Sequence, residues 1–258
     1  WQSWQSLTRT VSLSAGPQTM RIVMDENSIP TSSVANINWV RLVQSAAIPQ
    51  PIAHWRLDEV TGTIASDASG NGHDGTLING PLWSTGRITG ALSFDGTNDH
   101  IIVQHNDALN TASLTIAGWV KLSGQGSNYQ VLWLKLQVND SNGYFMIVNS
   151  LNSATPSRLE WTVSKAGTYY QVFSTTVLTN NVWYHVAVTF SGTTSRIYVN
   201  GSLEGTNFAA SKGTTTDPFY LGIEDGDCCG PLNGILDDVR IYDRELTAAE
   251  IQLLYLEN

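Results

Sequence analysis

Short runs rich in Val, Ile, Thr and aromatic residues recur from Trp55 onward, and clusters of Gly, Asn, Asp and Ser separate them. Runs of this kind with such borders are typical of β-strands joined by tight turns. The regular alternation of strands and helices that a parallel sheet needs does not occur. The sequence therefore predicts an all-β protein built as an antiparallel β-sandwich.

One strand and one hairpin are marked most clearly. In the run 182–190 every second side chain from Tyr184 to Phe190 is apolar, so this face of the strand should be buried. The next run contains Asn200-Gly201, which supplies the two residues with positive φ that a type I′ turn needs. We therefore expect a β-hairpin centred on this dipeptide.

The chain end carries the one convincing helix signal. Thr247 and Glu250 have the spacing of a capping box, in which each side chain binds a free backbone N–H group of the first helical turn. Ile251, Leu253 and Leu254 follow. This pattern predicts a short C-terminal helix packed on the sandwich.

The composition suits a secreted protein with a polar but weakly charged surface. The chain has 13 Lys and Arg against 22 Asp and Glu, a formal net charge of −9, and 14% charged residues. This charge repels nucleic acid and anionic bilayers, so neither is an expected partner. No apolar run approaches the roughly 18 residues of a membrane span. We expect an extracellular or cell-surface location.

The chain divides into three parts. Residues 1–43 carry three strand-like runs, which make a marginal sheet on their own. Two prolines in residues 44–51 resist both helix and central strand, as in a stiff linker. The sequence thus predicts a short N-terminal β segment (1–43), a Pro-containing linker (44–51) and a large β domain (52–258).

The large domain resembles laminin-G-like domains of the concanavalin A-like class. The resemblance is carried, in order, by Ala53–Glu59, Asp67–Thr76, Gly90–Gly96, Trp183–Thr189, Tyr198–Gly201 and Gly234–Arg244. It implies an antiparallel jelly roll over about residues 52–256. Such domains commonly bind glycans or proteins and are often appended to secreted carbohydrate-active enzymes or adhesins, although a shared fold does not fix the ligand.

Residues 1–43 resemble the C-terminal part of a family 6 carbohydrate-binding module. The similarity lies in Trp1–Trp4, Leu13–Gly16 and Asn36–Trp39. It implies that Trp1 stacks on a sugar ring and that Asn36 forms a hydrogen bond with the sugar. Both are therefore candidate ligand contacts.

The residues argue against catalysis. Retaining glycoside hydrolysis needs two carboxylates roughly 5 Å apart, which in this fold appear as Glu-x-Asp-x-x-Glu on one strand, a pattern that the sequence lacks. The pairs Asp58-Glu59 and Asp237-Asp238 are adjacent, so their side chains should point to opposite faces of a strand. His185 lies inside a fold block and is interpreted as structural rather than as a lyase base. We expect no enzymatic activity.

A calcium site is predicted near Asp67. The side-chain oxygens of Asp67, Ser69 and Asn71, followed by Gly72, match the first half of a calcium loop. Similarity to related jelly rolls implies that Asp58 and Asp237 supply further ligands to one structural ion. The alternative is a turn closed by Asx hydrogen bonds without metal. The segment 95–99 is interpreted as a hairpin turn.

Cys228 and Cys229 are the two cysteines of the chain. In a secreted protein they can oxidise with each other or between chains, and we predict the adjacent, strained disulfide. The loop lies between two late strands, and Asp225 and Asp227 offer acceptors for sugar hydroxyls. All four residues are candidate ligand contacts, while a stapled turn without ligand contact is the alternative.

Aromatic residues outside the core are candidate sugar platforms. Most tryptophans fall within strand patterns, and we predict core positions for Trp55, Trp119, Trp161 and Trp183. The loop-like candidates for ligand contact are Trp83, Tyr129, Tyr169 and Tyr170.

Together these observations predict a non-catalytic extracellular module that binds polysaccharide or glycoprotein glycan as part of a larger secreted or surface protein. The alternative is a structural subunit of a fibre or adhesin, in which residues 1–43 complete a sheet in another copy or in an upstream domain by strand addition.

Overall fold

A computed structural model describes residues 48–124, 128–137, 142–150, 153–208, 211–223 and 230–257. The chain divides into two compact units, Trp1–Ser45 and Ala46–Asn258, and the described residues belong to the second. The candidate contacts Trp1 and Asn36 therefore lie outside the described residues. Within the described ranges no helix is long and apolar enough to cross a membrane.

The described residues form sixteen strands, a single 3₁₀ turn at Asp107–Leu109 and one α-helix. The elements are β1 (Ala53–Trp55), β2 (Ile64–Ala65), β3 (Gly75–Ile78), β4 (Leu82–Thr85), β5 (Gly90–Asp95), β6 (His100–Val103), β7 (Leu114–Leu122), β8 (Gln130–Gln137), β9 (Asn142–Val148), β10 (Arg158–Lys165), β11 (Thr168–Val177), β12 (Trp183–Phe190), β13 (Thr194–Val199), β14 (Ser202–Phe208), β15 (Phe219–Leu221), β16 (Asn233–Tyr242) and α1 (Ala248–Leu256).

The strands make two antiparallel sheets. Sheet 1 has the order β14-β13-β12-β7-β16-β5-β4, and β1 also pairs with β16. Sheet 2 has the order β11-β10-β9-β8-β15-β6-β3-β2. Neighbouring strands are often far apart in the chain, as in the pairing of β16 with both β5 and β7. This is the predicted antiparallel jelly-roll sandwich.

The core lies between the two sheets and contains the large aromatic side chains. Trp55 and Trp161 are fully buried and Trp119 nearly so, which confirms three of the predicted interior positions. Trp183 is only half-buried, and the ammonium of Lys121 lies 4.9 Å from the centre of its ring. The predicted core position of Trp183 is therefore wrong, because its ring is partly open to solvent and lies against a lysine.

The local predictions for the strand at 182–190 and the following hairpin are confirmed. The apolar face of β12 packs into the core through Val186, Val188 and Phe190. Asn200 and Gly201 join β13 to β14 with φ values of 49° and 77°, as a type I′ turn requires.

The C-terminal helix is also as predicted. The hydroxyl of Thr247 accepts a hydrogen bond from the N–H of Glu250, and the Glu250 carboxylate accepts one from the N–H of Thr247. Ile251 and Leu254 bury the helix against the outer face of sheet 1. Sheet 1 is thus covered on both sides.

The prediction of a hairpin at 95–99 is wrong. The turn joins β5 of sheet 1 to β6 of sheet 2, so it crosses between the sheets. Its shape is held by local bonds, because the N–H of Asp95 donates to Asp99 and the N–H of Thr97 donates to Asp95. The sequence indicates a tight turn. It does not indicate that the strands before and after the turn join different sheets, because this depends on their pairing with other strands.

Candidate ligand-binding groove

The outer face of sheet 2 is apolar over its central strands. β8 and β9 carry apolar side chains on both faces, so neither strand has a polar side. An irregularity in pairing between Val131 and Trp133 turns Leu134 and Leu136 outward. The outward cluster consists of Val131, Leu134, Leu136, Ile147, Tyr220 and Ile223, with Ile102, Tyr129 and Phe145 packed against it. These six side chains are buried, so the outer face of sheet 2 carries a second apolar layer, against which the three partly buried side chains pack.

A groove of about 220 Å³ lies on this face. Its described lining residues are Tyr129, Val131, Leu134, Leu136, Phe145, Ile147, Glu160 and Tyr169. The floor is aliphatic and comes from β8 and β9. The walls are aromatic and come from three separate parts of the chain.

The three aromatic side chains differ in exposure. Tyr169 is 46% exposed, whereas Tyr129 and Phe145 are half-buried. The ring centres of Phe145 and Tyr169 lie 6.5 Å apart with an interplanar angle of 59°. These tilted rings present flat apolar surfaces that suit the C–H faces of a sugar.

Glu160 is the one carboxylate among the described lining residues. It lies on β10, and its side chain points outward because Leu159 and Trp161 on either side point into the core. Its Oε1 accepts hydrogen bonds from Gln171 Nε2 at 2.6 Å and from Thr162 Oγ1 at 3.0 Å. The groove therefore combines apolar walls with a single oriented acceptor.

Ile223 and Gly230, the described residues on either side of the segment with the two cysteines, pack on residues of the outer face of sheet 2. Ile223 belongs to the outward cluster, and Gly230 packs so closely on Tyr129 that a Cβ at Gly230 would lie 2.6 Å from the ring atom Cε2. Asp225, Asp227, Cys228 and Cys229 lie outside the described residues. Their disulfide and their ligand contacts stay predictions.

The predicted calcium loop is closed by hydrogen bonds. Asp67 Oδ1 accepts from the N–H groups of His54 and Ser69, and Oδ2 accepts from Ser69 Oγ and the N–H of His73. Burial by itself raises the pKa of Asp67, but these bonds outweigh it, so the net pKa is lowered. Asn71 Nδ2 donates to the carbonyl of Ile52 at 3.0 Å. This arrangement matches the metal-free Asx turn weighed as the alternative.

Asp58 and Asp237 meet at a different turn, between β4 and β5. Asp237 Oδ2 accepts from the N–H groups of Arg87 and Ile88, and Asp58 Oδ1 accepts from that of Gly90. Burial raises the pKa of Asp237 to about 6. Asp237 Oδ1 is buried without a hydrogen-bond partner, so one acceptor for a cation is present here. Within the described ranges no three His, Cys, Asp or Glu side chains are arranged to hold a metal, and calcium stays a prediction.

Comparison with known families identifies the fold. The Laminin_G_3 family, described as the concanavalin A-like lectin/glucanases superfamily, matches residues 95–252, more than half of the chain. The chain belongs to this superfamily. The resemblance drawn from the sequence blocks is therefore confirmed for the large domain, whereas the resemblance of residues 1–43 to a family 6 module stays a prediction. No curated protein matches the chain.

Solved concanavalin A-like structures share this architecture at low sequence identity. Domain 4 of AbnA, a GH43 extracellular arabinanase from Geobacillus stearothermophilus solved in complex with arabinotriose, is 19% identical with a TM-score of 0.65. The match covers 80% of this chain and 98% of that domain. At this identity the similarity shows the fold alone.

Larger proteins contain the same fold as a part. The binding domain of Paraclostridial Mosquitocidal Protein 1 is 18% identical with a TM-score of 0.64, and the match covers 80% of this chain and 52% of that one. A sialidase of Trypanosoma rangeli, solved as a covalent intermediate, is 16% identical with a TM-score of 0.60 over 82% of this chain and 34% of its own. This concanavalin A-like chain thus spans 52% of the first of these chains and 34% of the second.

The structure brings two of the four predicted sugar platforms of this jelly roll together and separates the other two from them. Tyr129 and Tyr169 line the same groove. Trp83 lies on β4 of sheet 1, where it packs against the core and its indole N–H donates to the carbonyl of Gly62 at 3.0 Å. Tyr170 also packs against the core, since it points inward from β11. Tyr169 itself is a strand residue and not part of a loop.

Sequence reasoning missed Phe145 and Glu160. Both lie in strands whose other face fills the core of this sandwich. The signal that could have found Phe145 is the absence of a polar side on β8 and β9, since an antiparallel strand open to water alternates apolar and polar residues. Glu160 lies on β10, where apolar and polar residues do alternate, so its outward position was readable but its burial was not.

Asp238 and His185, two of the residues weighed for catalysis, contact neighbouring side chains of the fold. Asp238 lies at a bulge of β16 with φ of 51°. Its carboxylate contacts His54 and Arg240, whereas that of Asp237 binds the turn between β4 and β5. His185 is 3% exposed beneath α1, packs edge-on to Trp119, and burial lowers its pKa to about 4. These residues hold β1, β16 and α1 together.

Proposed function

We propose that the jelly roll is a non-catalytic carbohydrate-binding module and that the groove on sheet 2 holds the glycan. The observation that carries the proposal is the group of three aromatic side chains around an aliphatic floor with one oriented carboxylate. Aromatic rings supply apolar contact area, and a few fixed polar groups orient a ligand, which is the usual composition of a small-molecule site.

The non-catalytic part of the proposal rests on the number of carboxylates in the groove. Glycoside hydrolysis requires two facing carboxylates, whereas the described lining contains one. A single carboxylate can bind a hydroxyl group but cannot act as both acid and nucleophile. AbnA domain 4, solved with arabinotriose, supports carbohydrate as the ligand class, since it has the same fold as this chain.

An extracellular location is part of the proposal. It is supported by the low fraction of charged residues and by the extracellular source of the arabinanase domain. A module of this kind would keep a secreted enzyme or adhesin close to its polysaccharide. Glycoprotein glycans remain within the same ligand class.

The test is binding to neutral polysaccharides measured by affinity gel electrophoresis and calorimetry, with arabinan, galactan and xyloglucan as probes. Tyr169→Ala and Phe145→Ala should each weaken binding by about tenfold, which corresponds to roughly 1.4 kcal/mol. Phe208→Ala is the matched control, because Phe208 is 78% exposed on β14 of the other sheet. Equal retention of all three variants would place the ligand elsewhere.

A further inference from the structure

We infer that Glu160 selects the ligand of the groove, so that neutral, hydroxyl-rich glycans bind and acidic glycans are rejected. The inference rests on the proposed function, because it assigns the ligand class of the same site. Glu160 occupies a position that is unusual for a glutamate.

Glu160 is almost fully buried, with 6% of its surface exposed. A charged side chain is rarely buried to this degree unless an opposite charge pairs with it. Ion pairs formed by the described residues do not include Glu160. Its partners Gln171 and Thr162 are neutral donors.

Burying a charge is costly unless the charge is both paired and hydrogen-bonded, and the ion pairs of the described residues give Glu160 no counter-charge. A glutamine at this position would keep an acceptor oxygen for Gln171 and Thr162, so these two hydrogen bonds do not need the charge. The charge of Glu160 is therefore best explained by what it binds.

The geometry defines the chemistry of that ligand. Both hydrogen bonds to Glu160 end on Oε1, and the side chain lines the groove, so Oε2 offers an acceptor to a bound molecule. An ionised carboxylate can only accept hydrogen bonds, hence the ligand must donate them. A sugar hydroxyl can donate. A carboxylate or sulfate on the ligand cannot, and its negative charge repels that of Glu160.

The orientation of the acceptor is fixed from one side. Gln171 and Thr162 hold Oε1 on the β10 and β11 side of the groove, and the rings of Phe145 and Tyr169 line the same groove. A sugar ring that stacks on these aromatics presents its equatorial hydroxyls sideways, toward such an acceptor. Glu160 thus acts together with the aromatic walls as a specificity-determining residue.

The experiment compares affinities for arabinan and galactan, which are neutral, with the affinity for polygalacturonate, which is acidic. It uses the full chain, E160Q and the control E257Q, which removes the same charge from an exposed residue at the end of α1. We expect wild type to bind a neutral probe at least tenfold more tightly than polygalacturonate. E160Q should lose about tenfold or more in neutral binding, as expected for a hydrogen bond to a charged group, and its discrimination against polygalacturonate should shrink.

Stability separates a binding role from a structural one. The melting temperature of E160Q should stay equal to that of wild type or rise, while E257Q should bind as wild type does. Gln171→Ala keeps the charge but removes one orienting donor, so it should cost about threefold in affinity.

The outcomes are distinguishable. Wild type that binds neither neutral probe contradicts the proposed function itself. Neutral binding that E160Q retains, equal binding of polygalacturonate by wild type, or a fall of more than about 5 °C in the melting temperature of E160Q overturns the role of Glu160 while the binding function stands.

Discussion

Replacement of Asp67 by alanine should destabilise the jelly roll markedly, because this carboxylate organises the loop between β2 and β3. It accepts four hydrogen bonds, two of them from the backbone N–H groups of His54 and His73, which belong to buried residues. Each buried donor left without a partner costs about 1 to 3 kcal/mol. The N–H and hydroxyl of Ser69 can turn to water at less cost.

The expected loss for Asp67→Ala is therefore about 3 kcal/mol, which lowers the melting temperature by roughly 6 to 12 °C for a domain of this size. Asp67→Asn keeps one carbonyl oxygen and should lose about half as much. Asp74→Ala is the matched control in the same loop, since Asp74 accepts one exposed bond from the N–H of Asp67. Differential scanning calorimetry measures all three variants.

Two results would refute this reasoning. One is a loss below about 1 kcal/mol for Asp67→Ala, and the other is an equal loss for Asp67→Ala and Asp74→Ala. The pH dependence provides a further check. Because the pKa of Asp67 is lowered on folding, its contribution is complete above the unfolded pKa near 3.8 and disappears as the pH falls through the lower folded value.

The same variants test the calcium hypothesis. Calcium bound by the Asp67 oxygens predicts that a chelator lowers the melting temperature of wild type but not of Asp67→Ala. At a free calcium concentration a hundred times the dissociation constant, the ion would add about 2.7 kcal/mol to wild type. A turn closed by hydrogen bonds alone predicts no response to chelator in either protein.

Three further predictions concern stability and are measured by denaturant unfolding. Thr247→Ala should cost about 1 kcal/mol by removing the helix cap, and Thr247→Ser should restore it. Gly201→Ala should cost about 1 to 2 kcal/mol, because φ of 77° is strained for alanine and its Cβ would collide with Gln252. Burial lowers the pKa of Lys135 from 10.5 to about 8, so wild-type stability should rise relative to Lys135→Met between these pH values.

Each of these predictions has a contrary outcome. Equal stability of Thr247→Ala and wild type would mean that the capping box contributes nothing. A stable Gly201→Ala variant would contradict the type I′ geometry of the turn. A stability difference between wild type and Lys135→Met that does not change from pH 8 to pH 10.5 would show that folding does not lower the pKa of Lys135.

Local chemistry explains which parts of the fold could be predicted from the sequence. The turn at Asn200-Gly201 and the capping box of Thr247 and Glu250 depend on residues within a few positions of each other, so the sequence alone determines them. The alternation of residues in β12 likewise indicates which face of the strand is buried. The segment 95–99 is a turn but not a hairpin, because β5 pairs with β4 and the distant β16, whereas β6 pairs with β3 and the distant β15.

The groove depends still more on distant pairing. Tyr129 and Tyr169 could be selected as aromatic residues outside the obvious core strands, but nothing in their spacing brings them together. The pairing of β10 with β9 places Glu160 opposite Ile147, and β8 beside β9 supplies the floor. The predicted calcium ligands show the opposite problem. Similarity to related jelly rolls implies that Asp67 and Asp237 hold one ion, but the structure places them at two different turns.

The most direct test of the groove is methyl NMR of the protein during titration with a neutral oligosaccharide such as arabinotriose. If the groove holds the glycan, the methyl signals of Val131, Leu134, Leu136 and Ile147 shift, and those of Ile251 and Leu254 beneath the helix do not. Saturable shifts confined to sheet 1, with the four groove residues unchanged, would contradict the central claim.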